Sequence, residues 1–236
     1  MTKTAASRPR RPQPDLATKV QPAQQRAADT FERILEAAAQ TLDEVGIERL
    51  STNLVCERAG LTPPALYRYF PNKYALLSEL GQRLMQRQNG CVGRWIGPEV
   101  FSHGEQALAS ALEGLLLDTY EVTRSTPAGV WIMRAMRAVP ALQQVRLASH
   151  AEVTQAQTEL LAQVLPGTDR GELRLASRVV VEMIYAAVEM LFDEALDPKA
   201  VARTVAAMLA SQLGRTAPPP GLPAAPAPRP AGKRAR

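Results

Sequence analysis

Apolar residues recur three and four apart along most of this 236-residue chain. That is the period of one buried face of an α-helix, and the strict alternation of a half-buried strand is missing. Phe31, Ile34, Leu35, Ala38, Leu42 and Val45 make a first amphipathic helix, which Gly46 stops by supplying a left-handed C-terminal residue. Ser51 caps a short second helix holding Leu54, Val55 and Ala59, and Gly60 ends it. Thr62 caps a third, with Pro63 at its first position, where a missing N–H leaves no bond unmade. Asn72 caps a fourth over residues 73–94, on the order of 30 Å long at about 1.5 Å per residue.

Further along, Ser102 opens a helix carrying Leu108, Leu112, Leu115 and Leu116, and Pro127 starts a shorter one that stops before Pro140. Residues 141–165 form another, residues 169–195 a strongly apolar one, and Asp197-Pro198 begins a last one ending at Gly214. The expected fold is all-α with nine helices: a three-helix unit over residues 27–75 and a helical domain over 76–213. Flanking them, residues 1–26 and 214–236 are rich in proline and charge and bury too little apolar surface to offset ordering entropy, so both are expected to be disordered tails.

Composition agrees, with 46% apolar and only 5% aromatic residues. The net charge of +5 is misleading, because each tail carries +5 and the stretch between them is left with −5. A high pI is therefore weak evidence that the folded part binds nucleic acid, although the tails could add salt-sensitive attraction to DNA phosphates. Cys56 and Cys91 cannot build a disulfide framework, and with His103 and His150 they form no metal-ligand spacing, so no metal or cofactor is expected. No apolar run reaches the length of a membrane span and no secretory leader is visible, which points to the cytoplasm. Catalytic signatures such as GxSxG, a Walker loop or GxGxxG are missing too, so the chain does not read as an enzyme.

Chemistry concentrates in residues 51–76, STNLVCERAGLTPPALYRYFPNKYAL. Two short helices joined at Ala59-Gly60-Leu61 match a helix-turn-helix, whose second helix enters the DNA major groove while the first crosses the backbone. Leu54, Val55, Ala59, Leu61, Leu66 and Phe70 hold the angle between them, which leaves Thr62, Pro63, Pro64, Ala65, Tyr67, Arg68 and Tyr69 as the groove-facing candidates. From Arg33 to Leu77, this pattern closely resembles the DNA-binding module of TetR-type transcriptional repressors. The resemblance implies an all-helical homodimer that binds an operator and has a variable C-terminal effector domain, with its last two helices at the dimer interface. It implies phosphate contacts for Thr52, Tyr67 and Lys73, and base contacts for Thr62, Pro63, Pro64, Ala65 and Tyr69. Arg68, if it faces the groove, could take a guanine bidentately. Pro63-Pro64 lacks two donors, which suits apolar contact with thymine methyls.

In the second domain, most large side chains serve as ordinary core, but helical pockets are built from the same material. The pocket candidates are Trp95, Leu112, Leu116, Tyr120, Trp131, Met133, Arg134, Met136, Met183 and Tyr185. A small, mostly hydrophobic effector is expected. Arg134 and Arg137 either form a solvated pair or meet an acidic end of that effector. The helix over 169–195 is apolar nearly all round, as expected where one side meets the core and the other a partner. Val181, Ile184 and Val188 on it, with Val201, Val205 and Met208 on the last helix, are the candidates for a four-helix dimer interface. The whole reads as a homodimeric repressor that an effector releases from a palindromic double-stranded DNA operator; the alternatives are an activator or ligand-insensitive regulator with the same module, or a helical interaction protein without specific DNA binding.

Overall fold

A computed structural model of the chain describes residues 13–19 and 25–216. Among them are ten α-helices, one 3-10 turn and no strand. In chain order the helices are α1 (Gln25–Arg49), α2 (Thr52–Ala59), α3 (Pro63–Tyr67), α4 (Lys73–Trp95), α5 (Pro98–Ser102), α6 (Glu105–Ser125), α7 (Gly129–Ala138), α8 (Gln143–Val164), α9 (Arg170–Asp193) and α10 (Pro198–Thr216).

The expected caps form at α2, α4 and α10, and Asp169 adds one at α9. Ser51 accepts from the Leu54 N–H, Asn72 from those of Tyr74 and Ala75, Asp169 from Glu172, and Asp197 from Lys199 and Ala200. Gly60 takes the left-handed conformation (φ 63°, ψ 39°) and returns its N–H to the carbonyls of Cys56 and Glu57, which makes the turn between α2 and α3. At Gly46 the first helix does break, with φ 72° and ψ 177°, yet the chain resumes helix to Arg49.

Four expectations need correction. The helix count is ten rather than nine, because Pro98 starts a one-turn helix that Ser102 closes; the helix expected from Ser102 begins at Glu105 after Gly104 (φ 85°). Thr62 stands at the N-cap position of α3, but its hydroxyl makes no capping bond; its carbonyl instead accepts from Ala65 and Leu66. Pro127 precedes its helix, which starts at Gly129. Part of the amino-terminal segment expected to be disordered is docked: the Lys19 N–H donates to the Tyr69 carbonyl at 2.9 Å, the Asn72 side chain donates to the Asp15 carbonyl at 2.9 Å, and Leu16 packs on the core. The helix α1 likewise begins inside that segment, and α10 passes Gly214. Residues 1–12, 20–24 and 217–236, where most of the expected tails fall, lie outside the described residues.

One main hydrophobic core joins the helices, from Phe31 on α1 to Ala210 on α10, and a small cluster of Leu161, Leu165 and Leu173 lies apart. Helix α4 is the link: its start packs with α1, and further along it packs on α6, α7 and α8, crossing the expected boundary at residues 75–76 without a break. Arg83 on α4 grips Glu32 on α1 through two bonds of 2.6 and 2.7 Å, and holds Glu79 one turn back. The Arg83 guanidinium holds the Glu32 carboxyl below the usual carboxylate range.

His150 on α8 is buried, its ring stacked on Tyr185 with 4.3 Å between centroids and its Nδ1 3.0 Å from a Glu182 carboxylate oxygen. Arg146 and Arg178 also face Glu182, at 3.6 and 2.5 Å. Burial pushes the imidazole below its ordinary pKa, with Glu182 pulling the other way and the two arginines adding to the fall. The folded state therefore binds this proton less well than the unfolded chain, so stability is full above the unfolded value of about 6.5 and is lost below it. Melting temperature is expected to fall between about pH 7.5 and about pH 5.5, and His150→Phe is expected to remove part of that fall. Identical pH slopes for the two proteins, measured by calorimetry, would refute the assignment.

Candidate nucleic-acid interface

The interface is assembled from the ends of three short segments. Val55, Cys56 and Ala59 on α2, Leu66 on α3 and the following Phe70 are buried against Phe31 and its neighbours on α1, and Phe70 stacks on Phe31 at 4.9 Å. With those apolar positions inside, the opposite side of α3 faces out. Thr62, Pro63, Pro64, Tyr67 and Arg68 are exposed, and Ala65 is half-buried. Pro63 and Pro64 occupy the first two helical positions, where their missing N–H groups break no intrahelical bond.

Two of the three phosphate candidates meet. The Tyr67 phenol, 40% exposed, stands 3.0 Å from the Thr52 hydroxyl at the start of α2. Each hydroxyl orients the other, and each keeps hydrogen-bonding capacity for an outside oxygen. Lys73, first residue of α4, is anchored by an ammonium N–H donated to the Leu50 carbonyl at 3.1 Å, and lies 5.7 Å from the Tyr74 ring centre. Its remaining N–H groups, at the positive end of that helix's dipole, make a place that favours an anion.

Tyr69 is a correction. It is only 7% exposed and packs edge-on against Phe31 at 6.1 Å, behind the docked Lys19. The helix α3 ends at Tyr67, so continuing its outward face two residues further was the error.

Beyond this module lies an apolar cavity of about 50 Å³, walled mainly by α4, α6, α8 and α9, with Phe101 of α5 and Leu213 of α10. Of the ten pocket candidates only Leu112 and Tyr185 line it. Trp95 turns outward and donates its indole N–H to Asp118 at 2.8 Å, and Tyr120 stacks on Phe192 at 4.8 Å. Trp131 covers Gly46, with the Arg134 guanidinium 5.6 Å over its ring, while Leu116, Met133 and Met136 are core. Met183 is half-buried away from the cavity walls. Arg134 pairs with Asp193 at 2.8 Å and Arg137 pairs with Glu189, so neither waits in the cavity for an acidic ligand. Gln88, Leu108, Leu115, Val153, Ser177 and Val180 are walls that selection by size passed over. The signal for them was positional: residues 108, 112, 115 and 119 form one face of α6, opposite 177, 181 and 184 on α9.

The interface candidates also sort differently. Val181 and Ile184 line the cavity and Val188 is fully buried in the core, so these three face inward. Val201 and Val205 are half-buried against the core, and only Met208, 60% exposed, is plainly free. The outward face of α9 is instead Leu175 (67% exposed), Val179 (46%) and Ala186, with half-buried Met183 and Met190 in the same row.

Comparison with known proteins fits this arrangement. A family model described as bacterial regulatory proteins, tetR family, matches residues 34–80, from the first half of α1 through the start of α4. The class A tetracycline repressor protein from transposon 1721 of Escherichia coli is 42% identical over 52 residues, covering 22% of this chain and 24% of that protein. The chain thus spans about a quarter of the length of the tetracycline repressors it matches. Among solved structures, a TetR-family transcriptional regulator from Streptomyces coelicolor is 26% identical with a TM-score of 0.52, over 79% of this chain and 99% of that one. The regulator FadR from Bacillus subtilis, solved with stearoyl-CoA, has a TM-score of 0.56 at 16% identity, over 77% and 98%, a likeness of fold. That helix-turn-helix segment is thus similar to the tetR family of bacterial regulatory proteins, and the all-helical body that carries it is similar in fold to a TetR-family regulator.

Proposed function

We propose that the protein is a homodimeric transcriptional repressor that binds a two-fold symmetric DNA operator and leaves it when a small ligand occupies the apolar cavity. The observation that carries the reading is the Thr52–Tyr67 hydroxyl pair at the exposed mouth of a helix-turn-helix, with Lys73 on the next helix start. Hydroxyls and an ammonium on preformed helix ends suit phosphate oxygens, and they set the depth at which Thr62, Pro63, Pro64 and Arg68 meet base edges. The repressor sense is taken from the tetracycline repressors that share this segment. Two copies joined through the outward row on α9 and Met208 on α10 would present two reading helices to one face of the duplex.

Coupling runs through α4, which carries Lys73 at one end and cavity wall at the other. A ligand shifts the equilibrium only by its differential affinity for the two states, so it must fit the cavity of the DNA-free geometry better. The test is selection of duplexes from a random pool, followed by footprinting. A protected inverted repeat is expected, with Tyr67→Phe weakening the complex about tenfold or more while the dimer persists. A pool that yields no preferred sequence would end the reading.

A further inference from the structure

The cavity holds one polar group that its surroundings leave unanswered. Gln88, on α4, is 1% exposed and forms part of the wall. Its amide orientation follows from a relay of hydroxyls. Thr123 gives its proton to the Thr119 carbonyl at 2.8 Å, so its oxygen accepts from the Gln88 NH2 at 2.7 Å. The end left over is the carbonyl oxygen Oε1, which is buried and has no hydrogen-bond partner. The hydroxyls in the wall are already committed as donors: Thr119 to Leu115, Ser177 to Leu173, and Tyr185 to Asn89 at 3.3 Å. Among the described residues, Gln157 is the only other amide in the wall, and none of the wall residues carries a charge.

Resting on the reading of this cavity as the effector site, we propose that its ligand is a neutral, mainly apolar molecule bearing one hydroxyl or N–H that donates to Gln88 Oε1. A buried acceptor with no partner discriminates strongly, because an analogue lacking the donor leaves it unpaired and gains nothing in exchange. A carboxylate or phosphate would meet a carbonyl oxygen in an uncharged, apolar wall, with nothing to offset its lost hydration. The bond would also be made on α4 itself, fifteen residues and about 22 Å of helix from Lys73, so ligand and DNA act on one rigid element.

The test uses the full chain at neutral pH and three small probes built on one ring, phenol, anisole and benzoate, because a cavity of about 50 Å³ must already widen to take a single ring. The phenol is neutral and donates, the anisole has no donor, and the benzoate is an anion. Calorimetric titration is expected to give the phenol at least about a tenfold advantage over the anisole, with the benzoate weakest. Gln88→Met, which removes the carbonyl at nearly constant volume, is expected to bring phenol and anisole within about twofold of each other and to melt no lower than the parent. Equal binding of phenol and anisole by the parent, a preference that survives Gln88→Met, or tightest binding of the benzoate overturns the proposal and leaves the cavity as a ligand site. Failure of all three probes to bind overturns both the proposal and the cavity's role. Operator binding, measured separately, tests the DNA reading on its own.

Discussion

Replacing Leu175 and Val179 together by aspartate is expected to yield a folded monomer that has lost specific DNA binding. Both side chains point away from their own protomer, at 67% and 46% exposure, so removing them opens no cavity. Across a two-fold axis the same residues would meet their copies, and four carboxylates would replace an apolar seam. Joining two half-site binders raises affinity by roughly 10² to 10⁴ through effective concentration, and the variant forfeits that gain. Sedimentation should therefore report halved mass, circular dichroism an unchanged helix content and melting temperature, and gel shift a loss of at least about a hundredfold. Val188→Asp, on the same helix but fully buried, should instead unfold the chain. A Leu175→Asp/Val179→Asp protein that stays dimeric would move the interface elsewhere.

The helices were legible because their two signals, an apolar period and a capping residue, are local. Ser51, Asn72 and Asp197 act within three residues of themselves, and each caps as expected. The errors arose where structure depends on distant partners. Nothing local says that residues 13–19 dock, since what holds them is the Tyr69 carbonyl, fifty residues from Lys19, and the Asn72 side chain, 57 residues from Asp15. Thr62 was expected to cap α3, but Pro63 and Pro64 leave it no N–H on those residues to accept from.

At the candidate site the same division holds. Thr52 and Tyr67 follow from a pattern, and they stand within hydrogen-bond reach where the left-handed Gly60 turns α3 back across α2. The size of aromatic and methionine side chains does not by itself place them in the wall of this cavity. Such residues are as useful for closing gaps, as Trp131 does over Gly46 and Met136 beside Gly81. For α9 the apolar character on all sides was recognised, but which valines face inward depends on a helical phase set by packing on α8 and α10. Reading the row 175, 179, 183, 186 and 190 as a separate stripe was possible from spacing alone.

Lys73→Ala is expected to cause the largest loss of DNA affinity of any single substitution outside the base-reading positions, with a signature that a merely structural lysine would not give. One cation is removed per protomer and two per dimer, and each phosphate neutralised contributes about −0.9 to the slope of log K against log salt. The slope should therefore become shallower by about two, and affinity at moderate salt should fall about a hundredfold if each charge-assisted contact is worth a factor of roughly ten. Tyr67→Phe removes a neutral hydroxyl, so it should weaken binding while leaving the slope as it was. Thr52→Val should add little to Tyr67→Phe, because the two hydroxyls stand 3.0 Å apart and orient one another. If Lys73→Ala keeps the parental slope and only lowers the melting temperature, the ammonium serves the Leu50 carbonyl and not DNA. That outcome would leave the start of α4 as a structural joint and place the charge-dependent grip on Arg68 instead.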